Sequence, residues 1–166
     1  EIEEAGAREI NQKSEIRNQK SKGVYFEDVS HLIGHRHVEE VFDDFGRPPL
    51  LPRRLSQLGP GVSWHDYDGD GWEDLIVGSG RGGRLGVYRN DGTGGFVEVN
   101  ESPVNRPVTR DQTTVLGMGS SIVVGSSNYE DGLAVGGWIR IYDMNRKVVG
   151  DSILGQEAST GPLAMG

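Results

Sequence analysis

Beyond residue 22 the apolar positions fall in short runs dominated by Val, Ile, Leu, Tyr and Thr, each cut off by Gly, Asp, Asn or Ser. Short β-branched runs bounded by turn formers read as strands, because an amphipathic helix needs apolar residues every three to four positions over a longer span. Strands are predicted at 24–29, 62–65, 74–78, 85–89, 96–100, 113–118, 121–125, 137–142, 147–152 and 161–165. Between His31 and Leu58 the pattern is lost. Pro48, Pro49 and Pro52 break periodicity there, and Val38 to Phe42 leaves room only for a short helix or an edge segment. Residues 1–22 hold few apolar side chains and a near-repeat, Glu9 to Ser14 echoed by Glu15 to Ser21. The two isoleucines of the near-repeat are too few for a coiled-coil seam, so residues 1–22 are expected to be a solvated tail, disordered or a frayed helix.

The strands recur in register. Asp74-Leu75-Ile76-Val77-Gly78-Ser79 is matched by Ser121-Ile122-Val123-Val124-Gly125-Ser126, a shift of 47, and Val87-Tyr88 is answered by Ile141-Tyr142. A period of roughly 50 residues with four strands per unit is the mark of propeller blades, which stack because one blade cannot cover both of its faces. The predicted fold class is therefore all-β: a partial β-propeller of about two four-stranded antiparallel blades. The expected organisation is a low-complexity tail at 1–22, an irregular lead-in with one strand at 23–59, a first blade at 60–110, a degenerate second blade at 111–159, and the start of a third repeat at 160–166. Ring closure usually takes at least four blades, so the chain reads as a truncated fragment of a longer protein.

Composition narrows the function classes. Glycine supplies 26 of 166 residues, about twice the usual share, which fits many tight turns. The formal net charge is −8, and the charges of the first 22 residues cancel, so the acidity belongs to the body of the chain. An acidic body lacks the basic stripe that a phosphate backbone needs, and no nucleic-acid partner is expected. With no cysteine, disulfides and thiolate metal sites are excluded. No apolar run reaches the length of a membrane span, and the N-terminus lacks the basic-then-apolar arrangement of a secretion signal.

The stretch that carries chemistry is Asp66-Tyr67-Asp68-Gly69-Asp70-Gly71-Trp72-Glu73-Asp74, with aspartates at positions 1, 3, 5 and 9 of a loop. Calcium is a hard ion that takes six to eight oxygens, and alternate carboxylates on a tightly curled loop converge on one point. Gly71 permits the sharp turn, and Trp72 is expected to add its backbone carbonyl, as the seventh residue of an EF-hand loop does. The expected metal set is thus Asp66, Asp68, Asp70, Trp72 and Asp74, with Ca²⁺ as cofactor. A helical EF-hand is rejected, because its twelfth position would be Val77 inside a strand rather than Glu. Without a cation, like charges at this spacing repel by about 1 kcal/mol per pair in water. Magnesium is the poorer fit, since it keeps a smaller octahedral shell rich in water.

The run from Val62 to Val77, followed by Val87-Tyr88-Arg89-Asn90-Asp91-Gly92-Thr93-Gly94-Gly95-Phe96, resembles an FG-GAP/VCBS repeat. Such repeats occur in integrin α-subunit propellers and in bacterial secreted proteins similar to cartilage acidic protein, often with an ASPIC/UnbV domain. The resemblance implies a calcium loop between a blade's first two strands, an extracytoplasmic location (secreted, periplasmic or cell-surface), and roles in adhesion, ligand binding or scaffolding. It is strong over residues 60–100 and weak over 110–166. Gly117-Met118-Gly119-Ser120-Ser121 holds no aspartate, so no second calcium site is carried over.

Three weaker signals have plainer readings. Gly78-Ser79-Gly80-Arg81-Gly82-Gly83 satisfies G-x-G-x-x-G, but a strand follows it, leaving no helix N-terminus to receive a pyrophosphate. His31, His35 and His37 lie near one another in sequence without a paired nucleophile, and are read as surface or packing residues. Trp64, Tyr88, Trp138 and Tyr142 are read as packing between blades, leaving Trp72 as the recognition candidate. The expected function is a non-catalytic calcium-binding module, not an enzyme, whose partners are a protein or glycan ligand and the remaining blades of a propeller. The alternative is an accessory propeller segment of a larger carbohydrate-active enzyme.

Overall fold

The computed structural model describes residues 27–46, 50, 52–57, 59–130, 136–153 and 158–164, and the predicted tail at 1–22 lies outside that range. Among the described residues eight strands form, β1 (Val62–His65), β2 (Asp74–Val77), β3 (Gly86–Asn90), β4 (Phe96–Glu98), β5 (Gln112–Met118), β6 (Ser121–Ser126), β7 (Ile139–Asp143) and β8 (Val148–Ile153). They make two four-stranded antiparallel sheets, ordered β1-β2-β3-β4 and β5-β6-β7-β8. Each sheet is a meander, so every strand pairs with its chain neighbour.

Two predicted strands do not form among the described residues. Of 24–29, the described residues Glu27 to Val29 are irregular and lead into a single 3-10 turn, Ser30–Leu32. Of 161–165, Gly161 to Ala164 join no sheet. The neighbouring Thr160 N–H ends on Ser126 O at 3.1 Å, and the Leu163 N–H on the Thr114 hydroxyl at 3.4 Å. Gly161, Pro162 and Ala164, like Glu27 and Asp28, are poor strand formers, and a strand needs a partner ladder that these described residues do not find. Residues 38–42 form neither a helix nor an edge strand, and a second 3-10 turn covers Asp44–Gly46.

The period-2 alternation of strands decides what is buried. Ile76 and Val87 project to one face of the first sheet and pack with Val115, Ile122, Val124 and Tyr142 of the second, together with Leu85 and Val104. Leu75, Val77 and Tyr88 project to the opposite face, where Ile33 and Phe96 cover them. The lead-in therefore shields a face that would otherwise be left open. Within the lead-in the buried Asp44 accepts hydrogen bonds from the Leu55 N–H at 2.8 Å, the Ser56 N–H at 3.0 Å and the Ser56 hydroxyl.

The sheets meet along their first strands, β1 and β5. Gly61, just before β1, donates to Gln112 O at 3.1 Å and accepts from the Gly78 N–H at 2.8 Å. A Cβ on Gly61 would lie 2.6 Å from the Thr114 Cα, so the close approach requires glycine. At the far end of β1 the His65 ring lies over Gly117, with Nε2 2.7 Å from Gly119 O. In the second sheet β5 turns into β6 through Gly119 and Ser120 alone, with Gly119 at φ 54°. The corresponding junction in the first sheet carries the whole acidic segment 66–73.

Candidate functional site

The acidic segment starts where β1 ends and returns at Asp74, which opens β2 opposite His65. Gly69 and Gly71 both take positive φ, 80° and 92°, and so curl the backbone with its N–H groups turned inward. Asp66 gathers them: Oδ1 accepts from the Gly69 and Asp70 N–H groups at 2.7 and 3.2 Å, and Oδ2 from the Gly71 N–H at 2.9 Å. Asp68 Oδ1 accepts from the Asp70 N–H at 3.2 Å. Asp74 is wholly buried; its Oδ1 accepts from the Asn90 N–H at 2.8 Å and its Oδ2 from the Tyr67 N–H at 3.2 Å.

One oxygen from each of Asp66, Asp68 and Asp74 lies within 4.8 Å of the others. Two ligands bound to the same calcium at about 2.4 Å cannot stand farther apart than about 5 Å, and these three oxygens lie within that limit. Each carboxylate has about four lone-pair directions, and the backbone donors leave some of them open. Asp70 stands outside the converging group, with its Oδ1 accepting from the Trp72 N–H at 2.9 Å. The Trp72 side chain is half exposed, and its indole leans over Gly92 in the loop after β3.

The electrostatics of the loop are uneven. Backbone donation, chiefly from Gly71, holds the Asp66 carboxyl below the usual carboxylate range against the effect of burial. Burial pushes Asp74 up, against hydrogen bonds from Asn90 and Tyr67, and the charges of Asp68 and Asp70 add to the rise. The Tyr67 hydroxyl is pushed up to about 12 by burial and then by Asp74 and Asp68. The rises at Asp74 and Tyr67 thus come first from burial and then from neighbouring carboxylates, whereas the fall at Asp66 comes from backbone donors.

Several residues that local reading passed over take part. Asn90 holds Asp74 through its N–H and donates from Nδ2 to Glu73 O at 3.1 Å. Arg89 places Nη1 3.9 Å from Asp68 Oδ2. Asp91 turns to its own loop, accepting from the Thr93 and Gly95 N–H groups and the Thr93 hydroxyl. A second carboxylate group, Glu39, Asp111 and Glu130, also lies within 4.8 Å, drawn from three segments distant in sequence. Burial and then Asp111 push Glu130 up to about 7.

The histidines go separate ways. His35 Nδ1 lies 2.8 Å from the Tyr88 hydroxyl, His37 Nε2 lies 3.1 Å from Glu39, and His31 is exposed. Tyr88 and Tyr142 are buried as expected, whereas Trp64 is half exposed, tilted against Phe96 with ring centroids 5.9 Å apart. β1 is short and its outer face is only partly covered, so packing does not enclose this ring. The glycine-rich stretch 78–83 is a loop that leads to β3.

Residues 66–125 match the FG-GAP-like repeat family. The chain carries an FG-GAP-like repeat. The matched region begins at the first aspartate of the acidic loop and ends inside β6, so the FG-GAP-like repeat is out of phase with the sheets and bridges them. Such a repeat, with its antiparallel four-stranded sheets, makes this a β-propeller-like repeat module. No curated protein and no solved structure gives a match. Among the described residues no helix is long and apolar enough to cross a membrane.

Proposed function

We propose that the FG-GAP-like repeat is a calcium-stabilised, non-catalytic binding or scaffolding module that works outside the cytoplasm. The observation that carries this reading is the convergence of the Asp66, Asp68 and Asp74 oxygens within 4.8 Å on a junction that the second sheet closes with two residues. Asp66 and Asp74 are pre-set by backbone donors, while Asp68 lies on the exposed side of the loop. Asp70 and the Trp72 carbonyl are the outer members of the proposed set. Bound calcium supplies charge neutralisation and a fixed centre for the loop; it is given no reaction to catalyse.

The ligand of the module is proposed to be a protein or glycan that meets the surface around the half-exposed Trp72. At the affinity of extracellular calcium modules, roughly 10⁻⁴ to 10⁻³ M, one millimolar ion stabilises the fold by RT ln(1 + [L]/Kd), about 0.4 to 1.4 kcal/mol. Calorimetric titration and thermal melts with and without Ca²⁺ test the reading. Asp68→Ala is expected to abolish both the heat and the melting shift, and Asp91→Ala, altering the neighbouring loop, to preserve them. Absence of binding by the parent at millimolar Ca²⁺, or equal loss in both variants, refutes it.

A further inference from the structure

The acidic loop has a cation of its own. Arg89 lies near the end of β3, one residue before the Asn90 that holds Asp74, and the hairpin swings its guanidinium towards the loop. Nη1 stands 3.9 Å from Asp68 Oδ2. The Asp68 side chain is only 26 % exposed, whereas Arg89 is 47 % exposed and free to swing outwards. The separation is that of a loose ion pair, longer than the direct contact of a bidentate bridge.

We propose that Arg89 is a built-in competitor of the divalent ion. With the metal absent, the guanidinium partly neutralises Asp68; with the metal present, the two positive charges oppose each other across the same carboxylate. Arg89 thereby holds the affinity of the site in a weak range, so that the loop responds to changes in calcium instead of staying saturated. This inference rests on the calcium reading above.

The expected size follows from Coulomb's law. A divalent ion and a guanidinium about 6 Å apart in a water-like dielectric repel by an amount equivalent to about tenfold in affinity. Arg89→Gln is therefore expected to bind Ca²⁺ about tenfold more tightly at low ionic strength, with the advantage shrinking as salt is raised. Arg89→Lys, which keeps the charge, is expected to stay close to the parent. Arg84→Gln removes an equal charge at the opposite end of β3, where its guanidinium reaches Asn100, and is expected to leave affinity unchanged.

A second readout separates competition from a structural role. In chelator, Arg89→Gln is expected to melt below the parent, because the loop loses its counter-charge, yet to show the larger rise in Tm on adding Ca²⁺. A variant that melts lower in chelator and gains no affinity overturns the inference while leaving the metal site standing. Equal tightening in Arg84→Gln overturns it too, by showing an effect of net charge alone. If neither the parent nor Arg89→Gln binds at millimolar Ca²⁺, the site reading fails and this inference falls with it.

Discussion

The seam between the sheets is open to a direct steric test at Gly61. This glycine is not among those with positive φ, so alanine meets no conformational penalty there and only space is at issue. Its Cβ would stand 2.6 Å from the Thr114 Cα and 2.8 Å from both the Thr114 carbonyl carbon and the Val115 nitrogen. All three are backbone atoms, and no side chain can swing away to make room. Overpacking of this kind costs about 1–3 kcal/mol. Widening the seam also stretches the bonds from the Gly61 N–H to Gln112 O and from the Gly78 N–H to Gly61 O, each worth about 1 kcal/mol net. Against that, replacing glycine restricts the unfolded chain and returns about 0.4–1 kcal/mol. The net expectation for Gly61→Ala is a loss of about 2–3 kcal/mol. With a urea m-value of about 1–3 kcal/mol/M, the unfolding midpoint should fall by roughly 1 M or more with m unchanged. Gly161→Ala is the control, because nothing lies within 4 Å of its Cβ and its φ is not positive either. It should be neutral or slightly stabilising. A midpoint for Gly61→Ala equal to or above that of Gly161→Ala would refute the packing of β1 against β5.

Two further outcomes are expected. Glu130 lies among Asp111 and Glu39, with Gln57 donating its N–H to Oε1 at 3.1 Å, and with the His37–Glu39 and Arg81–Glu40 pairs beside the group. Its folded value of about 7 lies above the ordinary 4.5, so the native state holds an extra proton between those values. That contribution to stability is complete below about pH 4.5 and is lost as pH rises through about 7. Urea midpoints from pH 4.5 to 8 should fall less steeply in Glu130→Gln than in the parent, and identical profiles would show that Glu130 does not titrate there. Ile76→Ala empties a fully buried position between the sheets and should cost about 2–5 kcal/mol by urea denaturation; a loss under 1 kcal/mol would mean that the sheets do not share this core.

The two expected strands that do not form among the described residues mark where local reading stops. Val29 and the residues from Gly161 to Ala164 lie in short runs between turn formers, but a strand exists only as part of a ladder, and the partner is a property of the whole fold. Trp64 errs in the opposite sense. Its place in β1 was foreseen, but whether its face is covered depends on which segment comes to lie there. Ile33 reaches Leu75, Val77 and Tyr88 and leaves half of the tryptophan exposed.

What the sequence alone determined is what acts over a few residues. Apolar runs closed by turn formers were enough to locate β1 to β8, and the aspartate spacing from Asp66 to Asp74 was enough to locate the acidic loop. Tertiary structure alone decided which of those aspartates converge, since Asp70 turns to the Trp72 N–H while Asp74 is buried under bonds from Asn90 and Tyr67. It alone brought Arg89 to Asp68, and gathered Glu39, Asp111 and Glu130 from three segments. The physical reason is range. Backbone preference and side-chain alternation act between neighbours in the chain, whereas Coulomb forces and burial act between neighbours in space, and the pairing of the sheets chooses those.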